Sequence, residues 1–169
     1  MKLKIYYSHT PFWRAEVLRV SLFIGNISFE DVRISREEFR DVILTGKLRH
    51  KVEIPFNQLP VLEIDGNIVG QTGAIARYCG KLSDLYPEDN FLAAKVDQII
   101  DTATDITNLV SPTVREKDEV IKKVMRDKLA NKLLPRWFNY LENLLQKEKN
   151  SQWFVNNKMS IADIAIWRL

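Results

Sequence analysis

The chain has 169 residues, 46% of them hydrophobic and 28% charged, with a formal net charge of +3 at pH 7; this is enough for a core in one domain or two small ones, with an ordinary globular balance. The charge excess is too small for a nucleic-acid binder, and the densest charge run, Arg115 to Lys128, alternates in sign like a solvated helix face. No apolar stretch approaches the roughly 20 residues of a membrane span, Met1–Lys4 leads into a strand and not a signal peptide, and one cysteine with two histidines makes neither a disulfide framework nor a metal site.

The expectation is a cytoplasmic protein. Leu3 to Tyr7 has strand chemistry, with Leu3, Ile5 and Tyr7 on one face and Lys4 and Tyr6 on the other. Pro11 marks a turn. From Trp13 to Ile24, Val17, Leu18, Ser21 and Leu22 share one helical side, closed by Gly25-Asn26. Ile27 to Ile34 reads as a second strand. Ser35 with Glu38 forms a capping-box pattern for a helix starting near Arg36. Residues 45–54 carry a glycine and four basic groups without a period, and read as loop.

Val61–Ile64 and Ile68–Val69 flank Asp65-Gly66, a hairpin signal because both turn positions need positive φ. Gln71-Thr72 then opens a helix to about Leu82. The order βαβ, helix, ββα implies a mixed four-stranded sheet, with the βαβ pair parallel and the hairpin antiparallel. Beyond Leu85-Tyr86-Pro87 only helical patterns follow. Phe91 to Val110 repeats Val96, Ile99, Ala103, Ile106 and Val110 at three-to-four spacing. Glu116 to Lys147 carries Val120, Val124, Leu133, Leu141 and Leu144/Leu145, with Pro135 predicted to kink it. Residues 1–83 therefore read as an α/β domain and 88–169 as an all-helical one. Ser160 to Asp163 is a capping box for an apolar helix with a Met159/Ile164 staple. That helix has hardly begun at Leu169, so the expectation is a truncated, marginally stable helical domain.

The most specific stretch is Pro55-Phe56-Asn57-Gln58-Leu59-Pro60-Val61-Leu62, followed by the hairpin and Gln71-Thr72-Gly73-Ala74-Ile75-Ala76-Arg77-Tyr78. A proline directly before a strand is a poor ladder member; it makes sense if a cis Leu59-Pro60 bond turns the Leu59 backbone toward a peptide-like ligand. Gln71-Thr72 falls at a helix N-terminus, where free N–H groups attract a carboxylate. On these motifs, with KVDQIIDTATD and SIAD further on, the sequence resembles the cytosolic glutathione transferases, nearest their sigma class and tyrosine-type relatives.

The resemblance covers nearly the whole chain and implies a thioredoxin-like first domain, glutathione as co-substrate, a small electrophile as its partner in reaction, no metal, and a homodimer. It implies that Leu59, beside Gln58 and cis-Pro60, holds the cysteinyl part of glutathione. Gln71 and Thr72 would take the γ-glutamyl carboxylate, and Lys51 the glycyl carboxylate. Asp105 would reach the neighbouring subunit's site, and Arg14 would open the first helix. Tyr7 is the group implied to activate the thiol, although its spacing to Arg14 is one residue longer than the family's. Ser8 fills the slot without a gap, and Thr10-Pro11-Phe12 resembles the serine- and cysteine-type starts. Two alternatives stand beside a transferase: a glutathione-dependent isomerase, and a non-catalytic binding or structural relative, which Asn57 in place of the family's glycine and the altered first loop favour. Cys79 reads as packed core.

Overall fold

In the computed structural model, residues 1–10, 12–49, 51–148 and 151–169 are described, so the predicted turn at Pro11 lies outside the described residues. The chain divides into two compact units, Met1–Pro87 together with Arg168, and Glu88–Trp167 together with Leu169. In the first unit, β1 (Leu3–Ser8) is followed by α1 (Glu16–Ile24), β2 (Glu30–Ile34) and α2 (Arg36–Thr45). Two short strands, β3 (Lys47–Leu48) and β4 (Val52–Glu53), precede a 3-10 turn over Pro55–Asn57, then β5 (Val61–Ile64), β6 (Asn67–Val69) and α3 (Thr72–Leu82).

The strands of the main sheet run in the order β2-β1-β5-β6. β1 and β2 are parallel, whereas β5 is antiparallel to both β1 and β6. This is the mixed four-stranded sheet that the element order implied. The β5–β6 hairpin closes through Asp65 at φ 47 and Gly66 at φ 89, a turn with both central residues left-handed. α1 buries Val17, Leu18, Ser21 and Leu22, and Leu3, Ile5, Val61, Leu62, Ile75, Ala76 and Cys79 complete the core. Burial pushes the Cys79 thiol up to about 12, so it stays protonated and unreactive, as packed core does.

Three details differ from the sequence reading. α1 begins at Glu16, three residues later than Trp13, because Trp13 sits at φ 127, outside helical space. The second strand starts at Glu30. The segment read as loop instead pairs Lys47 with Glu53 and Leu48 with Val52 in an antiparallel β3–β4 hairpin. Leu48 is fully buried, which anchors strands too short to show any periodicity.

The second unit is helical: α4 (Asn90–Arg115), α5 (Glu119–Lys128), a π-helical turn over Leu129–Leu133, α6 (Leu134–Lys147) and α7 (Ile161–Trp167). α4 buries Val96, Ile99, Ala103 and Ile106 and runs five residues past Val110, carrying Pro112 within its last turn. Pro135 has no N–H to give the fourth residue back and its ring crowds that carbonyl. The chain accommodates it by widening the preceding turn, where the Leu134 N–H reaches the Leu129 carbonyl. Leu129 and Leu141 are buried, but Val120 and Val124, expected on the packed stripe, are 75% and 63% exposed. α7 packs on α4 through a face that buries Ile161, Ala162, Ile164 and Ala165. The Asp163 carboxylate accepts from the Ser160 N–H at 2.7 Å, from its hydroxyl, and from the Phe154 N–H at 2.9 Å.

Candidate functional site

The ladder between β1 and β5 ends at the Tyr6–Val61 pair. Tyr7 follows the last residue of β1 paired in that ladder, and Pro60 immediately precedes Val61, the first paired residue on β5. The Leu59-Pro60 peptide bond is cis. Among the described residues, neither the N–H nor the carbonyl of Leu59 has a backbone partner, so both hydrogen-bonding groups remain available beside the end of β1. The end of β1 that carries Tyr7 and the start of β5 that follows Pro60 thus lie at one end of the sheet.

Tyr7 is 5% exposed. Its phenol oxygen accepts a hydrogen bond from the Arg14 backbone N–H, and the Arg19 guanidinium carbon lies 5.9 Å from the ring centroid. Burial pushes the phenol above its ordinary value, against the pull of the Arg14, Arg168 and Arg19 charges and of the Arg14 N–H. A phenol in that state keeps its proton at neutral pH and donates it in a hydrogen bond, while the surrounding cations favour an anion as acceptor. Arg168 groups with the first unit and is almost fully buried. Its guanidinium is drawn down to about 10, first by burial and then by Arg14, with Tyr7 opposing.

Arg19 and Arg168 escaped the sequence reading. Arg19 falls among the buried positions of α1, where a charged residue signals a partner. Arg168, remote in sequence from β1, carries no such signal. The other hydroxyls behave differently. Tyr6 points to the opposite side of the sheet and donates to the Glu63 carboxylate at 2.6 Å, and its pKa is raised, first by burial and then by that bond. The Ser8 and Thr10 hydroxyls pair at 2.8 Å.

Gln71 caps α3 at φ 70 and ψ 116 with no side-chain hydrogen bond to the helix start. A non-glycine residue at positive φ is strained, and such strain is kept where the surrounding fold fixes it, often at ligand sites. Gln71 is exposed and Thr72 half-buried, leaving the first N–H groups of α3 for an acceptor. Arg14 is half-buried just ahead of α1, and Gln58 is exposed after the 3-10 turn. Lys51 is exposed at the turn between β3 and β4. It lines an open cleft of about 690 Å³ with Lys47, Glu53, Asn57, Glu63 and Ile68. Asp105 is an exposed residue of α4, in the second unit, on one stripe with Asp97 and Asp101.

Asn57, which stood out against the family pattern, adopts φ 51. Asparagine tolerates this left-handed conformation better than other residues with a Cβ, and its Nδ2 donates to the Ile43 carbonyl at 3.2 Å. The substitution therefore preserves the backbone turn. Among the described residues no group of three His, Cys, Asp or Glu side chains could hold a metal ion, and no helix is long and apolar enough to cross a membrane.

Comparison with known proteins gives two domain matches. Residues 2–81 match the glutathione S-transferase N-terminal domain, and residues 104–169 match the glutathione S-transferase C-terminal domain. A glutathione S-transferase of Anopheles gambiae is 32% identical over 161 residues, which is 95% of this chain and 74% of that relative. Among solved structures, prostaglandin synthase D of Nilaparvata lugens is similar with a TM-score of 0.83 and 32% identity, covering 98% of this chain and 77% of the other. A glutathione S-transferase of Necator americanus described as monomeric is similar with a TM-score of 0.78 and 28% identity, covering 98% and 78%.

Proposed function

The chain belongs to the glutathione S-transferase family, and on that premise we propose that it binds glutathione, ionises the thiol and joins the sulfur to a small electrophile. Tyr7 carries the reading, as a buried phenol held by the Arg14 N–H and faced by cations. Its O–H, protonated at neutral pH, donates a hydrogen bond to the glutathione sulfur. This stabilises the thiolate relative to the thiol, whose ordinary pKa is about 8.5, and so supplies the nucleophile. The thiol proton leaves to solvent. The sulfur lone pair forms the new bond to carbon, and the electrophile's leaving group or π-bond takes the displaced electron pair.

In this reading the free N–H and carbonyl of Leu59, next to Gln58 and Pro60, pair with the backbone of the cysteinyl residue, as an added strand would. Gln71, Thr72 and the N-terminus of α3 hold the γ-glutamyl carboxylate. Lys51 contributes to holding the glycyl carboxylate. Asp105 serves the site of a second copy in a homodimer. A cytoplasmic location goes with a glutathione-using enzyme whose one cysteine is a buried free thiol. A second reading, an isomerase using the same thiolate, is supported by the similarity to prostaglandin synthase D.

The test is the thiolate absorbance of bound glutathione, followed across pH in the wild type and in Tyr7→Phe. We expect a thiolate band near neutral pH that moves upward by one to two pH units in the variant, roughly a ten- to hundredfold loss of thiolate at fixed pH. A band indifferent to Tyr7→Phe transfers the role to the Ser8–Thr10 pair. No band in folded protein would favour the non-catalytic reading.

A further inference from the structure

α1 presents a charged residue where an amphipathic helix normally buries an apolar one. Arg19 is 8% exposed, and burial of an uncompensated guanidinium is costly. Its compensation is visible. Nε and Nη2 both donate to one oxygen of Asp31, at 3.1 and 3.0 Å, and Nη1 pairs with Glu16 one turn earlier on α1. Asp31 uses its second oxygen for Arg33 Nε at 2.6 Å, and Arg33 Nη1 reaches the Thr10 carbonyl at 3.2 Å. The chain of ion pairs and hydrogen bonds therefore runs from α1 through β2 to the segment that follows β1.

That network borders Tyr7. Tyr7 stands beside Arg33 in the parallel register of β1 and β2, and the Arg19 guanidinium lies within cation–π range of its ring, at 5.9 Å. The charges that act on the phenol are those of Arg14, Arg168 and Arg19, and Glu16, Asp31 and Arg33 are tied to it through the ion pairs of Arg19 and Asp31. Arg19 lies over the ring at 5.9 Å while being tied to two carboxylates.

We propose that Arg19 is a positioning residue for Tyr7: its guanidinium, clamped between Glu16 and Asp31, fixes the phenol ring against α1 and sets the charge balance at which that phenol works. The inference rests on the reading of Tyr7 as the thiol-activating group. Two consequences follow from simple electrostatics. Removing the Arg19 charge takes a cation from beside the ring and leaves its Glu16 and Asp31 partners uncompensated, which disfavours any anion there. Neutralising Glu16 instead frees more of the Arg19 charge to act on the phenol, which favours one.

The opposed signs make the test selective, because two substitutions that merely loosened the packing would act in the same direction. The phenol of Tyr7 is titrated by tyrosinate absorbance in unliganded Arg19→Gln, Arg19→Lys and Glu16→Gln, assigned by subtraction of a Tyr7→Phe background. We expect Glu16→Gln to move the titration down and Arg19→Gln to move it up, each by about tenfold in tyrosinate at a fixed pH, with Arg19→Lys close to the wild type. Shifts of both variants in one direction, or no shift in either, overturn the proposal. Should Arg19→Gln fail to fold, Glu16→Gln and Arg19→Lys still decide: a downward move in the first with near-wild-type behaviour in the second supports it, and any other pairing overturns it. The thiolate band of bound glutathione, measured in parallel, separates the two readings. A band indifferent to Tyr7→Phe sinks the role of Tyr7 in activation, whatever the phenol titration says of Arg19.

Discussion

Asn57 shows how one residue can look wrong in a sequence and be right in a structure. It sits at φ 51, its amide nitrogen bonds the Ile43 carbonyl, and its side-chain oxygen occupies the space a Cβ on Gly46 would need. Glycine would meet the backbone demand but not the hydrogen bond; a β-branched residue would meet neither. Asn57→Gly should therefore cost no more than about 1 kcal/mol, and Asn57→Val about 2–3 kcal/mol, from left-handed strain plus a lost bond. Denaturant melts of the two variants check this, and equal stabilities would refute the account. The same locality decides what could be read of the site. The candidates Tyr7, Pro60 and Gln71 could be picked out because each is announced by its own neighbours in sequence. Arg168 could not, since only the folded chain brings it to Tyr7.

At the scale of elements, α2 depends on a start that its own sequence encodes. The Ser35 hydroxyl accepts from the Glu38 N–H at 3.1 Å, and the Glu38 carboxylate accepts from the Ser35 N–H at 2.8 Å. The Arg49 Nε, donated from the turn between β3 and β4 at 2.7 Å, holds the other Glu38 oxygen. The Arg49 hydrogen bond, followed by that of the Ser35 backbone, holds the Glu38 carboxyl below the ordinary carboxylate range. A carboxylate depressed in the folded state adds stability that is complete above its unfolded pKa and is lost as pH falls through the folded one. Glu38→Gln should thus lower stability at neutral pH, by about 1 kcal/mol on the scale of a lost cap, and the melting curves of variant and wild type should converge in acid. A gap that persists below the folded carboxylate range would refute the capping role. The cap was legible because its partners are three residues apart, whereas β3 and β4 were not: two-residue strands have no period, and their pairing depends on Leu48 reaching the core. Pro135 was legible as a disturbance, but not its form, because the π turn arises from where the displaced carbonyls find donors.

At the scale of the whole molecule, the residues proposed for one reaction do not all belong to one unit: Tyr7, Leu59 and Gln71 lie in the first, Asp105 in the second. If Asp105 completes the site of a second copy, the two defects must complement each other across a homodimer. A subunit with Tyr7→Phe keeps its Asp105, and a subunit with Asp105→Asn keeps its Tyr7. In a mixed dimer the second subunit's site therefore has its own tyrosine and the first subunit's aspartate, and is intact, while the other site lacks both. Each variant alone should lose most of its glutathione-dependent activity. Random pairing of equal amounts makes about half the dimers mixed, each with one intact site of two, so activity should return to roughly a quarter of the wild-type value. A monomer of the kind described for the similar Necator americanus structure would show no return at all, since its sites cannot be shared. Full activity in Asp105→Asn by itself would remove Asp105 from the site altogether.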